Sequence, residues 1–98
     1  MLGLISFLGI GGIGVSALAQ YYLSCAHAVS GSDLASSEVT EYLEKLGVKI
    51  KIGAQNENGQ NFSPDLVVYS PAIKPENPEL KFYKSAGVKC LSYPEALG

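Results

Sequence analysis

"GIGGIGVSALAQ", residues 9–20, decides the fold, because it supports two incompatible readings. No Asp, Glu, Lys or Arg precedes Asp33, and Ala17-Leu18-Ala19 has the small-x-small pattern at which secretory signals are cut. An export signal, however, opens on a positive residue and continues as a helix of roughly 7 to 15 apolar residues. This chain opens Met1-Leu2-Gly3 and places Gly9, Gly11, Gly12 and Gly14 where that helix would run. Each glycine in a helix interior costs about 0.5–1 kcal/mol relative to alanine, so the cluster would cost roughly 2–4 kcal/mol. The same residues interrupt a membrane span, which needs about 20 predominantly apolar positions.

The second reading uses every glycine. Leu4, Ile5, Ser6, Phe7 and Leu8 form a short apolar run suited to a buried parallel strand; Gly9-x-Gly11-x-x-Gly14 follows it and opens a helix-like segment over 15–24. In such a strand-turn-helix unit the first glycine takes a positive φ at the tight turn. The second lets phosphates approach the main chain, and the third lets the helix pack close to the strand. The helix start then offers unpaired N–H groups and about half a positive charge to a pyrophosphate. Ser16 can add a hydroxyl there or remain a solvated first-turn serine.

Composition fits one small domain. The 98 residues are 47% hydrophobic and 16% charged, enough to bury a core and too few like charges to stay disordered. The net charge of -2 comes without a Lys/Arg cluster, which argues against nucleic acid and an anionic membrane surface as partners. A polyanionic ligand must therefore be held by backbone dipoles. Cys25 and Cys90 stand far apart with no ligand-type neighbours at metal spacing, so they read as reduced, half-buried packing residues of a cytosolic protein, with no metal site. His27 has no catalytic-type partner nearby in sequence and reads as a strand-edge histidine.

Residues 26–30 predict a second strand, ending in Ser30-Gly31-Ser32-Asp33. Asp33 lies close to the interval of about 20 residues at which nucleotide-binding folds place an acid for ribose or base hydroxyls. Asp33 or Ser36 can instead cap the next helix, predicted over 37–46 with Val39, Tyr42, Leu43 and Leu46 on one face. Gly47 ends that helix, and residues 48–52 predict a third strand. Residues 53–64 are polar and turn-rich and read as a connection. Residues 65–70, "DLVVYS", are β-branched and apolar, and stop at Pro71. The Pro-rich loop that follows lies at a strand's carboxyl end, where open α/β sheets bind ligands. A helix from Pro78 to about 86, a fifth strand over 88–91 and a short helical tail over 94–97 complete the chain. The alternation predicts an α/β, Rossmann-like parallel sheet of about five strands with flanking helices.

Three stretches, "GIGGIGVSALA" at 9–19, "VSGSD" at 29–33 and "YSPAIKPENPEL" at 69–80, resemble in order and spacing the N-terminal domain of the Mur ligase family of peptidoglycan synthesis, in its alanine-adding branch. "LEKLGVKIKIG" and the closing "YPEALG" extend the resemblance over nearly the whole chain. It implies that residues 1–98 form a single domain, cut from a three-domain ligase, that holds the UDP moiety of UDP-N-acetylmuramic acid. The implied contacts are Gly9, Ile10, Gly11, Gly12, Ile13, Gly14, Val15 and Ser16 at the pyrophosphate, with Asp33 and the loop of Ser70, Pro71, Ala72 and Ile73 near the uridine. Val15 stands where the family usually has Met. Ala54 follows Gly53 where the family commonly has His, leaving that contact absent or supplied by Gln55.

The chemistry implied by the family is ATP-dependent: the substrate carboxylate is phosphorylated, L-alanine's amine attacks, and Mg2+ screens the phosphates. None of it is expected on this chain, which has no phosphate loop of the G-x-x-x-x-G-K-[ST] type and no candidate base. Catalytic residues and bound cofactors are therefore expected to be none, with ATP and Mg2+ held in the central and C-terminal domains of a cytoplasmic enzyme. An NAD(P)-binding domain of an oxidoreductase uses the same glycine turn and acid, and is the alternative.

Overall fold

The computed structural model describes residues 3–53 and 64–98. In chain order these form β1 (Leu4–Leu8), α1 (Ile13–Ser24), β2 (Ala28–Asp33), α2 (Glu38–Lys45), β3 (Lys49–Ile52), β4 (Leu66–Tyr69), α3 (Pro78–Ser85), β5 (Lys89–Ser92) and α4 (Tyr93–Ala96). The strands make one parallel sheet in the order β3-β2-β1-β4-β5. The predicted Rossmann-like α/β sheet is therefore what the chain adopts. Of the connection read over 53–64, residues 54–63 lie outside the described residues, and Ala54 and Gln55 with them.

The central strand β1 is covered on both faces, which explains its nearly continuous apolar sequence. Alternation along it sends Ile5 and Phe7 to one side, where they pack with Val15 and Ala19 of α1, Leu43 of α2, Val29 and Val68. Leu8 points to the other side, against Val67 and against Leu80 and Tyr83 of α3. The second face is more polar. Ser6 and Ser30, paired in register, share a buried hydroxyl-hydroxyl hydrogen bond of 2.7 Å, and Ser32 on the same face donates to the Glu79 carboxylate at 2.8 Å. Tyr83 inserts its ring here, and its hydroxyl has no partner in hydrogen-bond geometry among the described residues. Burial, and then the Glu79 carboxyl, hold its phenol well above its ordinary value, against a smaller pull from Ser6.

Helix ends follow local chemistry. Ser37 caps α2 and Ser92 caps α4, each in a capping box, and the Asn77 carboxamide oxygen accepts the amides of Glu79 and Leu80 at the start of α3. The α2 cap is thus Ser37, and neither Asp33 nor Ser36 serves. In the α4 box the Glu95 carboxylate accepts the Ser92 amide, which holds its pKa below the ordinary value. At the far end of α1 the chain turns through Ala26 at φ 68, with Ala26 N donating to Leu23 O and His27 N to Tyr22 O. That left-handed turn displaces the second strand from the expected 26–30 to Ala28–Asp33.

Within β2, Gly31 is required by its neighbours: a Cβ there would lie 2.5 Å from Ile10 Cδ1 and 2.8 Å from the Phe7 carbonyl. Gly31→Ala is therefore expected to destabilise the chain by about 3 kcal/mol through overpacking. Ala26→Gly, which relieves a left-handed alanine, should stabilise it by about 1 kcal/mol. Urea denaturation with an unchanged m-value reads both.

Candidate ligand-binding site at the carboxyl edge of the sheet

The chain runs outward from β1 to β2 and β3, then returns to the other side of β1 for β4, so the carboxyl ends of β1 and β4 flank the switch point of the sheet. Gly9 leaves β1 at φ 76. The amides of Gly9 and Ile10 both donate to the Ser32 carbonyl, at 2.9 and 3.0 Å, which ties the glycine turn to the end of β2. On the other side Ser70 N donates to Leu8 O at 2.9 Å, and a Cβ on Gly9 would meet Ser70 Cβ at 2.8 Å. The turn is wedged between two serines, and only glycine fits the wedge.

Beyond the wedge the residues divide. Ile10 is fully buried in the core, over Gly31. Gly11 donates its amide to Asp33 Oδ2 at 2.8 Å, while Leu34 N donates to Asp33 Oδ1 at 2.8 Å. Gly12 is the N-cap residue of α1, and no side chain caps this helix, unlike α2, α3 and α4. Ile13, in the first turn, is 88% exposed. Gly14 proves to be spaced for the phenol of Tyr93: a Cβ there would lie 2.7 Å from its ring and its hydroxyl. Close contact of α1 with α4, rather than with the strand, is thus what this glycine permits. Val15 and Ser16 face inward, and the Ser16 hydroxyl donates to Ile13 O at 3.0 Å.

A cavity of about 420 Å³ opens at this edge, lined by Gly9, Gly11 and Gly12, by Asp33 with residues 34–37, and by Ser70, Ala72 and Ile73. It shares Leu34, Ala72 and Ile73 with a neighbouring cavity of about 460 Å³ that extends to Lys74, Glu76, Asn77 and Pro78. Each lies within the usual range for small-ligand sites, about 300–1,000 Å³. The loop wall is built by Ser70, whose hydroxyl accepts the Ala72 amide at 3.1 Å and whose carbonyl accepts the Ile73 amide at 2.9 Å. Three stretches remote in sequence thus meet around one cavity. Pro71 is exposed beside it, and Ile10, Ile13, Gly14, Val15 and Ser16, also expected at the site, do not line it.

Sequence reasoning missed the contribution of residues 34–37 and the buried Ser32-Glu79 pair behind the turn. The Ser36-Ser37 doublet was legible only as capping chemistry. His27 sits at the opposite end of β2, its Nδ1 3.4 Å from Gly3 O and its ring edge-on to Tyr22. Cys25 and Cys90 are free and half-buried, with burial raising the Cys90 thiol, and no group of three metal-ligating residues occurs among the described residues. Nor is any described helix long and apolar enough to cross a membrane.

Fold and site together define a Rossmann-like domain with a cavity at the switch point, faced by a glycine turn and a helix start without a side-chain cap. The family model "Mur ligase family, catalytic domain" matches residues 4–98, and the chain belongs to the Mur ligase family. It is 54% identical over 93 residues to the UDP-N-acetylmuramate--L-alanine ligase of Campylobacter jejuni, covering 95% of this chain and 21% of that protein. The corresponding ligase of Acetivibrio thermocellus is 47% identical over 94 residues, covering 96% and 20%. Among solved structures, the UDP-N-acetylmuramate-alanine ligase of Thermotoga maritima superposes with a TM-score of 0.90 at 35% identity, covering 97% of this chain and 22% of that one. This chain therefore spans about a fifth of the length of the relatives it matches.

The wedge makes a specific demand on its glycines. Gly9→Ala combines a left-handed backbone with a 2.8 Å approach to Ser70 and is expected to cost about 2–4 kcal/mol. Gly12→Ala, at φ -66 with nothing nearer than 3.6 Å, should cost only about 0.5 kcal/mol. Thermal or urea unfolding of the two variants checks the contrast.

Proposed function

We propose that this chain is the UDP-substrate-binding domain of a UDP-N-acetylmuramate:L-alanine ligase of peptidoglycan synthesis. The observation that carries the reading is the convergence of the glycine turn, Asp33 and the loop of Ser70, Ala72 and Ile73 on one cavity, in a chain 54% identical to such a ligase. The diphosphate of UDP-N-acetylmuramic acid sits at the start of α1, where the amides of Ile13, Gly14 and Val15 have no side-chain cap, the Gly12 amide being bonded to the Gly9 carbonyl. The uridine lies toward Asp33 and the loop, whose Ala72 and Ile73 provide apolar wall for a base or ribose. Gly9, Ile10, Gly14, Val15 and Ser16 hold the seat in place, and Pro71 stiffens the loop.

The chain's part in the reaction is to bind and orient. ATP and Mg2+ supply phosphoryl transfer in ligases of this kind, yet the sequence carries no phosphate loop and the described residues no metal cluster, so no step of that chemistry is assigned to them. In this reading a central ATP-binding domain and a C-terminal domain of the same cytoplasmic enzyme provide the remainder and choose the amino acid. The oxidoreductase alternative gains no support from the three relatives named above, each a UDP-N-acetylmuramate-alanine ligase.

Titration with UDP-N-acetylmuramic acid should shift the amide resonances of Gly11, Gly12, Ile13, Ala72 and Ile73, whereas NAD should leave them in place. Shifts with NAD alone would overturn the assignment. Because Gly12 lines the cavity, Gly12→Ala should weaken the nucleotide sugar by about tenfold while leaving unfolding nearly unchanged.

A further inference from the structure

Among the described residues lining the cavity at the glycine turn, Asp33 alone is charged, and its sign opposes a phosphate. Its carboxylate is held at both ends: Oδ2 accepts Gly11 N and Oδ1 accepts Leu34 N, each at 2.8 Å. A Cβ on Gly11 would lie 2.7 Å from Oδ2, so a glycine is needed to let the carboxylate come this close. Turning the side chain away would break both hydrogen bonds, so the charge is a fixed feature of the wall. Against it stands the start of α1, worth about half a positive charge. A full negative charge outweighs that, and the adjoining cavity adds Lys74 together with Glu76, whose charges offset each other.

Building on the proposed diphosphate site, we propose that Asp33 is a charge selector. It occupies the Gly11 amide with an internal anion and leaves to the ligand the amides at the start of α1. A carboxylate has about four acceptor positions, and main-chain amides fill two here; the others suit hydroxyl or N–H donors of a bound molecule. A nucleoside diphosphate sugar brings such donors and satisfies the carboxylate's open acceptor positions by hydrogen bonding. A compact anion such as inorganic pyrophosphate brings its charge with at most one hydroxyl and is repelled. Selectivity against small phosphates thus comes from one acidic side chain in a site whose described lining residues include no cation.

Calorimetric titration of the wild-type chain and of Asp33→Asn with two probes, UDP-N-acetylmuramic acid and inorganic pyrophosphate at fixed ionic strength without divalent metal, tests this. Asp33→Asn is expected to bind pyrophosphate about tenfold more tightly and the nucleotide sugar no more tightly than the wild type, shifting the selectivity ratio by at least about tenfold. A purely structural Asp33 would instead weaken both ligands together, and a ratio changed by less than about threefold overturns the selector. Asparagine retains one acceptor for the Gly11 amide; Asp33→Ser is the second variant, and loss of folding in both would make Asp33 a structural residue and overturn the proposal. Failure of the wild type to bind the nucleotide sugar would overturn the functional reading instead. The selector would then be judged on pyrophosphate alone, supported by the tenfold gain and overturned without it.

Discussion

One carbonyl, that of Ser32, accepts the amides of both Gly9 and Ile10, and the geometry of the site depends on it. The bond pair fixes where the chain goes after β1, hence where α1 begins and where its open amides point. Ser32 is itself anchored by its hydroxyl to Glu79, a side chain only 1% exposed in the first turn of α3. The amide of Glu79 is in turn bonded to the Asn77 side chain that caps α3. From β4, Ser70 N reaches Leu8 O and closes the other flank. Each such bond contributes only about 1 kcal/mol net, but leaving a buried partner unsatisfied costs about 1–3 kcal/mol, so the set holds together or fails together.

The two faces of the sheet divide the work. On the side of α1 and α2 the contacts are almost wholly apolar, and burial there supplies most of the driving force for folding. On the side of α3 the serines of β1 and β2, the Glu79 carboxyl and the Tyr83 phenol share a small interior with Leu8, Val67 and Leu80. A buried polar layer of this kind adds little stability against an apolar replacement, but its directional bonds fix how α3 sits on the sheet. Since the loop over 70–73 leads into α3, that seating also sets the far wall of the cavity.

Much of this was legible in the chain. The apolar run before the glycines, the β-branched "LVVY" and the helix starts at Ser37 and Pro78 each carry a local signal that tertiary structure leaves in force. Beyond the local turn at Ala26 and the local cap at Ser37, what the sequence does not show comes from contacts between residues distant in sequence. Ser30-Gly31-Ser32-Asp33 has the composition of a turn, yet Ser30, Gly31 and Ser32 are paired by β1 and all four by β3, and that pairing overrides local preference. Gly14 looked like the glycine of helix-strand contact, although the close approach to the strand layer falls at Gly31, and Gly14 instead clears Tyr93 from the end of the chain. The interval from the glycine turn to Asp33 places the acid at the same site, but not the direct hydrogen bond from Gly11 N, which the parallel register of β1 and β2 makes possible.

How a site with an acid on its wall can hold a diphosphate then becomes a question of magnitudes. A helix start contributes about 0.3–1 kcal/mol to an anion at an exposed site, and up to about 2 kcal/mol when partly buried. That is far short of the roughly 8 kcal/mol of a micromolar complex, before any repulsion from Asp33 is subtracted. In the proposed role, therefore, the amides of α1 fix the position of the phosphates, while affinity comes from the rest of the ligand, through hydroxyl donors at Asp33 and burial against Ala72 and Ile73. A basic cleft would bind phosphates of every kind. In the proposed role, a wall that carries Asp33 and no basic side chain among the described lining residues makes binding conditional on more than charge, which suits a diphosphate seat assembled from glycines, serines and one carboxylate.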